Sequence, residues 1–225
     1  MTEQQMSRGT AGRRRPISKT PGVPVAYDLL PERTALVSID FQIAFGDGGW
    51  EHVPHAEAAV ERFIALAERW REAGGAVLHV HSTFPLAEGA PAGREALLEG
   101  SPGAAFYPGL MVEGDLLIRK LGFSAVSGSG LLEVLDSCGL DTVVLGGLTT
   151  PICVETTADG LSMAGIKVAV LSDATASQAI GEYSPEIAHD FSIARMSYLV
   201  GQVTTTRDLI AGLAGSSDDD AAATE

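Results

Sequence analysis

"DTVVLGGLTTPICVETTADGLSMAGIKVAVLSD", residues Asp141 to Asp173, decides the fold. Its two ends, "DTVVLGG" and "KVAVLSD", are short, β-branched and continuously apolar. That pattern belongs to strands buried on both faces rather than to half-exposed ones. Between them "CVETTADGLSMAG" puts Val154, Thr157, Ala158 and Leu161 on one helical face. Strand, helix and strand in that order make a parallel unit.

The alternation continues on both sides. Upstream, "TALVSID" (Thr34–Asp40) and "AVLHVH" (Ala76–His81) read as strands. Between them Val60, Phe63, Ile64, Ala67 and Trp70 recur at helical spacing, with Gly74 and Gly75 as a stop. "DLLIRK" (Asp115–Lys120) is a third strand and "GLLEVLDSCG" a helix with Leu131, Leu132 and Leu135 inward. A helix over Pro185–Tyr198 and a strand near Gly201–Thr204 complete the series. The expectation is an α/β, three-layer Rossmann-like fold, a six-stranded, mostly parallel sheet with helices on both faces. The domain is expected to span 27–213, between a flexible arm at 1–26 and a disordered acidic tail at 214–225.

The 225 residues suit one domain, and 45% apolar content is enough for its core. A formal net charge of −14 argues against a nucleic-acid partner, and the basic cluster Arg13–Arg15 is too short to reverse that. No apolar run is long enough to span a membrane and no secretory h-region opens the chain, so a cytoplasmic location is expected. The two cysteines, Cys138 and Cys153, are then expected as free thiols.

In a parallel sheet all strand carboxyl ends open on one side, and sites form there. Asp40, Lys120 and Cys153 lie at three such ends. A thiol at a helix start feels unpaired backbone N–H groups, and a nearby ammonium adds to that. Both lower its pKa, so alkylation of Cys153 is expected to outpace that of Cys138. A carboxylate beside them is suited to move the thiol proton to a leaving amine. Each residue also has a plainer reading: a small core cysteine, a turn-forming aspartate, an edge lysine. The stretch Ser82–Pro108, irregular and rich in proline and glycine, is long enough to suggest a functional loop.

"LVSIDFQIAF", "DLLIRKLGFSAVSGSGL" and "LGGLTTPICVETTADGLSMAG" together resemble the isochorismatase-like cysteine hydrolase superfamily. The likeness runs in order and spacing from Tyr27 to Leu213 and includes a Gly-x-x-Thr-x-x-x-Cys-Val-x-x-Thr segment. It implies Asp40 as general base, Lys120 as charge partner and Cys153 as nucleophile. It also implies a cis peptide at Leu148–Thr149, with the Thr149 and Cys153 N–H groups forming an oxyanion hole. Pro151 departs from the small or polar residue usual at its position.

Nicotinamidases of that superfamily carry an Asp-x-His metal motif after the second strand, where this chain reads "HVHSTFP". His79 and His81 share a strand face but lack a carboxylate in the motif, so no metal and no cofactor are expected. Retention of Cys153 favours amide chemistry over the vinyl-ether hydrolysis of true isochorismatases, which is the alternative, with a catalytically idle binding member as a third. Gln42, Phe45, Trp50, His81, Phe84 and Phe123 are the candidate pocket residues, and Phe106 and Tyr107 fall in the same loops. The expected partners are a small-molecule substrate and further copies of the chain in a dimer or tetramer.

Overall fold

A computed structural model describes residues 19–46, 49 and 51–222. Six strands form one sheet: β1 Thr34–Ile39, β2 Ala76–Ser82, β3 Leu116–Lys120, β4 Thr142–Leu148, β5 Lys167–Ala176 and β6 Gln202–Thr204. Their order is β3-β2-β1-β4-β5-β6, and every pairing is parallel. The expected α/β architecture is therefore the observed one. Strand order reverses between β1 and β4, which are hydrogen-bonded neighbours far apart in sequence. A crevice at such a reversal is where this kind of sheet binds its ligands.

The helices divide between the two faces according to the pleat of the strands. Leu36 of β1 and Val144 of β4 face α1 (Ala56–Glu72), whose Phe63, Leu66, Ala67 and Trp70 complete that core. Val37 and Ile39 point the other way, into a second core with α2 (Leu131–Ser137), α3 (Glu155–Met163) and α4 (Pro185–Leu199). Two glycines in β4 permit close packing. A Cβ on Gly146 would stand 2.6 Å from the Phe63 ring, and one on Gly147 would stand 2.2 Å from the Ile39 carbonyl oxygen. The φ of 143° at Gly147 is also one that other residues rarely adopt.

A fifth helix, α5 (Thr206–Ala222), was not read from periodicity. Its Leu209, Ile210 and Leu213 pack on the α1 core. Its backbone continues through the acidic segment after 213, which was expected to have no fold, as far as Ala222. The basic cluster Arg13–Arg15 lies outside the described residues. Among the described residues no helix is long and apolar enough to cross a membrane.

Candidate active site

Four adjacent strand ends supply the polar centre. In sheet order they carry Lys120 at the end of β3, Ser82 at the end of β2, Asp40 just after β1 and Cys153 in the turn after β4. Ser82 and Lys120 are paired in register, which sets their side chains next to each other. Asp40 has a φ of 53°, a left-handed conformation that aspartate tolerates better than most residues. Its N–H donates to the Val80 carbonyl at 2.8 Å, tying the turn to β2.

Lys120 is the hub. Its Nζ lies 2.7 Å from Asp40 Oδ2 and donates to Ser82 Oγ at 2.8 Å, the Gly122 carbonyl at 3.0 Å and Cys153 Sγ at 3.4 Å. Ser82 Oγ in turn donates to Asp40 Oδ1 at 3.2 Å. The ion pair is almost dry, with side-chain exposures of 1% for Lys120 and 0% for Asp40. Burial alone would favour a neutral amine, but the Asp40 carboxylate and then the sulfur outweigh it and hold the Lys120 pKa above its ordinary value.

Cys153 corrects the expectation of a depressed thiol pKa. It sits in one wide turn of π-helix, Thr150–Val154, that runs into α3, a feature common at functional sites. Burial first, and the Asp40 carboxylate second, push its pKa up to about 12 against the opposing pull of Lys120. The resting pair is a neutral thiol beside a carboxylate. At pH 8 the thiol is held in its protonated form, so direct alkylation of Cys153 is suppressed. Iodoacetamide at pH 8 is therefore expected to label exposed Cys138 before Cys153. Peptide mapping of the labelled protein reads the order. Faster labelling of Cys153 would restore the activated-thiol picture.

The cluster opens on a cavity of about 230 Å³ lined by Phe45, Phe123, Ser82, Lys120, Thr149 and Cys153, with Glu51, Arg94, Leu97, Gly122 and Ile152 completing the wall. The Leu148–Thr149 peptide bond singled out in the sequence is cis. Leu148 itself is fully buried, while Thr149 reaches the cavity. The N–H groups of Ile152 and Val154 both donate to the Thr149 carbonyl, at 3.1 and 3.2 Å.

Several candidate pocket residues stand elsewhere. Gln42 is wholly buried and works as a clamp. Its amide bonds the Ser82 carbonyl at 3.0 Å, the Ser82 N–H at 2.9 Å and the Ala104 carbonyl at 2.9 Å, fixing the β2 end against the loop. Phe84 packs into the α1 core. His81 lines a different hollow, with Thr83, Glu99 and Arg119, and its Nδ1 is hydrogen-bonded to Thr83 Oγ1 at 2.8 Å. The reason is the pleat: residues 79 and 81 face away from 80 and 82. Phe106 packs against the His79 and His81 rings, and Tyr107 donates to Glu57 at 3.0 Å. Trp50 lies outside the described residues. His79 is a core histidine with both nitrogens engaged, by Ser38 Oγ at 2.7 Å and by Asp115 at 2.9 Å.

Three groups escaped the sequence reading. Ser82 was legible in principle, since it closes β2 as Lys120 closes β3. Arg94 and Glu51 carried no such signal, because both lie in irregular segments.

A family model for the isochorismatase domain matches residues 34–208, most of the chain. The chain belongs to the isochorismatase family. It is an isochorismatase-family hydrolase, and its relatives span the same architecture. It is 28% identical to the isochorismatase family protein YrdC of Bacillus subtilis, over 80% of this chain and 96% of that one. It is 27% identical to a maleamate amidohydrolase of Pseudomonas putida, over 78% of this chain and 84% of that one. A cysteine hydrolase from Pseudomonas syringae superposes with a TM-score of 0.77 at 25% identity, covering 86% of this chain and 98% of that structure.

Proposed function

We propose that the protein is a metal-independent cysteine amidohydrolase that cleaves the C–N bond of a small amide, carbamoyl or ureido compound through a thioester acyl-enzyme. The observation that carries this reading is the contact of Cys153 Sγ with a buried Lys120–Asp40 ion pair at the wall of a small cavity. Amide hydrolysis by the maleamate amidohydrolase relative supports the bond type.

The arrangement performs each step with groups already in place. As Sγ attacks the carbonyl carbon, Asp40 takes the thiol proton, so no free thiolate is needed. Lys120 stays charged throughout and prevents the carboxylate from standing alone in a dry site. The Thr149 and Cys153 N–H groups receive the oxyanion. Asp40 then returns the proton to the leaving nitrogen, and ammonia or an amine departs. Water, deprotonated by Asp40, attacks the thioester and releases the acid with the thiol restored.

Independence from metal rests on the donor set. Both nitrogens of His79 are engaged, no histidine lines the cavity, and among the described residues no group of three His, Cys, Asp or Glu side chains is disposed to hold an ion. The size of the cavity, below the roughly 300–1,000 Å³ of drug-sized pockets, supports a small substrate.

The test is a panel of small amides, carbamoyl and ureido acids and isochorismate, read for ammonia, pyruvate and the intact mass of the enzyme. Ammonia release with a transient acyl adduct on Cys153 is the expected result. Pyruvate release that survives loss of the thiol would overturn it in favour of vinyl-ether hydrolysis.

A further inference from the structure

The turn that carries Cys153 is held from two sides. On the side of the sheet, Lys120 Nζ donates to Cys153 Sγ. On the other side the tie is Thr150, which opens the turn. Its carbonyl accepts the Glu155 N–H, a bond that closes around Cys153. Thr150 is fully buried, and its hydroxyl lies 2.9 Å from Nδ1 of His189 on α4. Pro151, next in the turn, has no N–H to give. The Thr149 hydroxyl is buried with no hydrogen-bond partner among the described residues. Thr150 is therefore the side chain that ties this side of the turn to another element.

Packing alone does not call for this pair. Valine has the shape of threonine and would fill the position with no polar group to satisfy. What the hydroxyl adds is direction. His189 is itself fixed, one residue from buried Ala188 on α4, with the Ser172 backbone of β5 hydrogen-bonded to its ring. It does not line the Cys153 cavity. With His55, Arg62, Asp173 and Glu186 it lines a separate hollow of about 320 Å³. Any influence of His189 on the chemistry runs through Thr150.

We infer that His189 is a positioning residue: through the Thr150 hydroxyl it holds the Cys153 turn, so that the sulfur and the Thr149 and Cys153 N–H groups stay aimed at the substrate carbonyl. The inference rests on the amidohydrolase reading for the chemistry. It adds a group outside the cavity on which the rate depends. A misplacement of about 1 Å costs about a hundredfold in rate, while the contacts of the cavity wall with bound substrate remain.

His189→Ala and Thr150→Val are each expected to lower kcat by about tenfold to a hundredfold, with KM within about threefold of wild type. The assay uses the small amide that the wild type turns over fastest, with maleamate among those tried. The double variant is expected to be no slower than the worse single, because both substitutions remove one bond. His189→Asn, whose amide reaches the place of Nδ1, and Thr150→Ser, which keeps the hydroxyl, are expected to retain most of kcat. Glu186→Gln, in the same hollow without a bond to Thr150, is expected to leave both constants unchanged. Independently of turnover, deuterium exchange in the peptide Thr149–Val154 is expected to be faster in His189→Ala and Thr150→Val and restored in His189→Asn. Thr150→Val keeps the shape of its residue, so it carries the prediction even where His189→Ala folds poorly.

Unchanged kcat in both single variants, a loss carried by KM, additive losses in the double, or no rescue by the Asn and Ser variants would overturn the inference while leaving the amidohydrolase reading intact. Faster exchange of the turn in the variants, with a wild type that releases ammonia from no amide, would overturn that reading and leave His189 as the anchor of the turn. Unchanged exchange in both variants would overturn the inference whatever the turnover.

Discussion

Replacing Cys153 with alanine is expected to lower turnover of any amide substrate by about 10⁴-fold or more while leaving the fold in place. Cys153 touches the ammonium hub and lines the cavity, as Ser82 also does, but the Ser82 hydroxyl already donates to Asp40 and is harder to deprotonate than a thiol. Loss of the sulfur cannot be covered by Asp40, whose carboxylate is held by Lys120 and by Ser82 Oγ and serves the proton transfers rather than the attack on the carbonyl carbon. The structural effect is small because one buried heavy atom is removed, about 1 kcal/mol. Ammonia release and the urea midpoint of the same preparation separate the two effects. Turnover within tenfold of wild type would end the thioester mechanism. Cys153→Ser is expected to fail almost as badly, because a hydroxyl is harder to deprotonate than a thiol and the dry site adds to that difficulty.

Lys120→Met is expected to cost about 3–5 kcal/mol of stability, the largest effect of any substitution in the site. The methionine fills the space of the lysine stem, so the loss comes from charge rather than from packing. Asp40, wholly buried, would be left as an ion with only Ser82 Oγ and the thiol beside it. The physics predicts a particular non-additivity. Asp40→Asn together with Lys120→Met is expected to be more stable than Lys120→Met alone, since the double variant leaves no uncompensated charge. Urea denaturation of the two singles and the double reads the coupling. A Lys120→Met protein within about 1 kcal/mol of wild type would show that the pair behaves as an exposed one.

The legibility of the site followed the legibility of the strands. Asp40 and Lys120 were found because each closes a continuously apolar run, and Cys153 because it follows one. Their meeting followed from the parallel sheet, whose carboxyl ends share a side. Phe45 and Phe123 line the cavity because both lie in loops at that side. His81 and Phe84 lie at the same end yet face away or inward, so proximity to a strand end was not enough. Gln42 was found for its position, but its amide is spent on the backbone of Ser82 and Ala104.

Periodicity and residue type were sufficient for the alternating elements and the parallel sheet, and so for the placement of Asp40, Lys120 and Cys153 at one end of it, because these depend on neighbours along the chain. The family follows from the same residues in order. The protonation state of Cys153 was decided by tertiary structure: desolvation and a carboxylate from β1 overcame the local pull of the turn and of Lys120. The nearness of Glu51 to Arg94 was decided there too, since the fold brings two distant irregular segments to one cavity. Charge state is a sum over space, and a sequence records only adjacency along the chain.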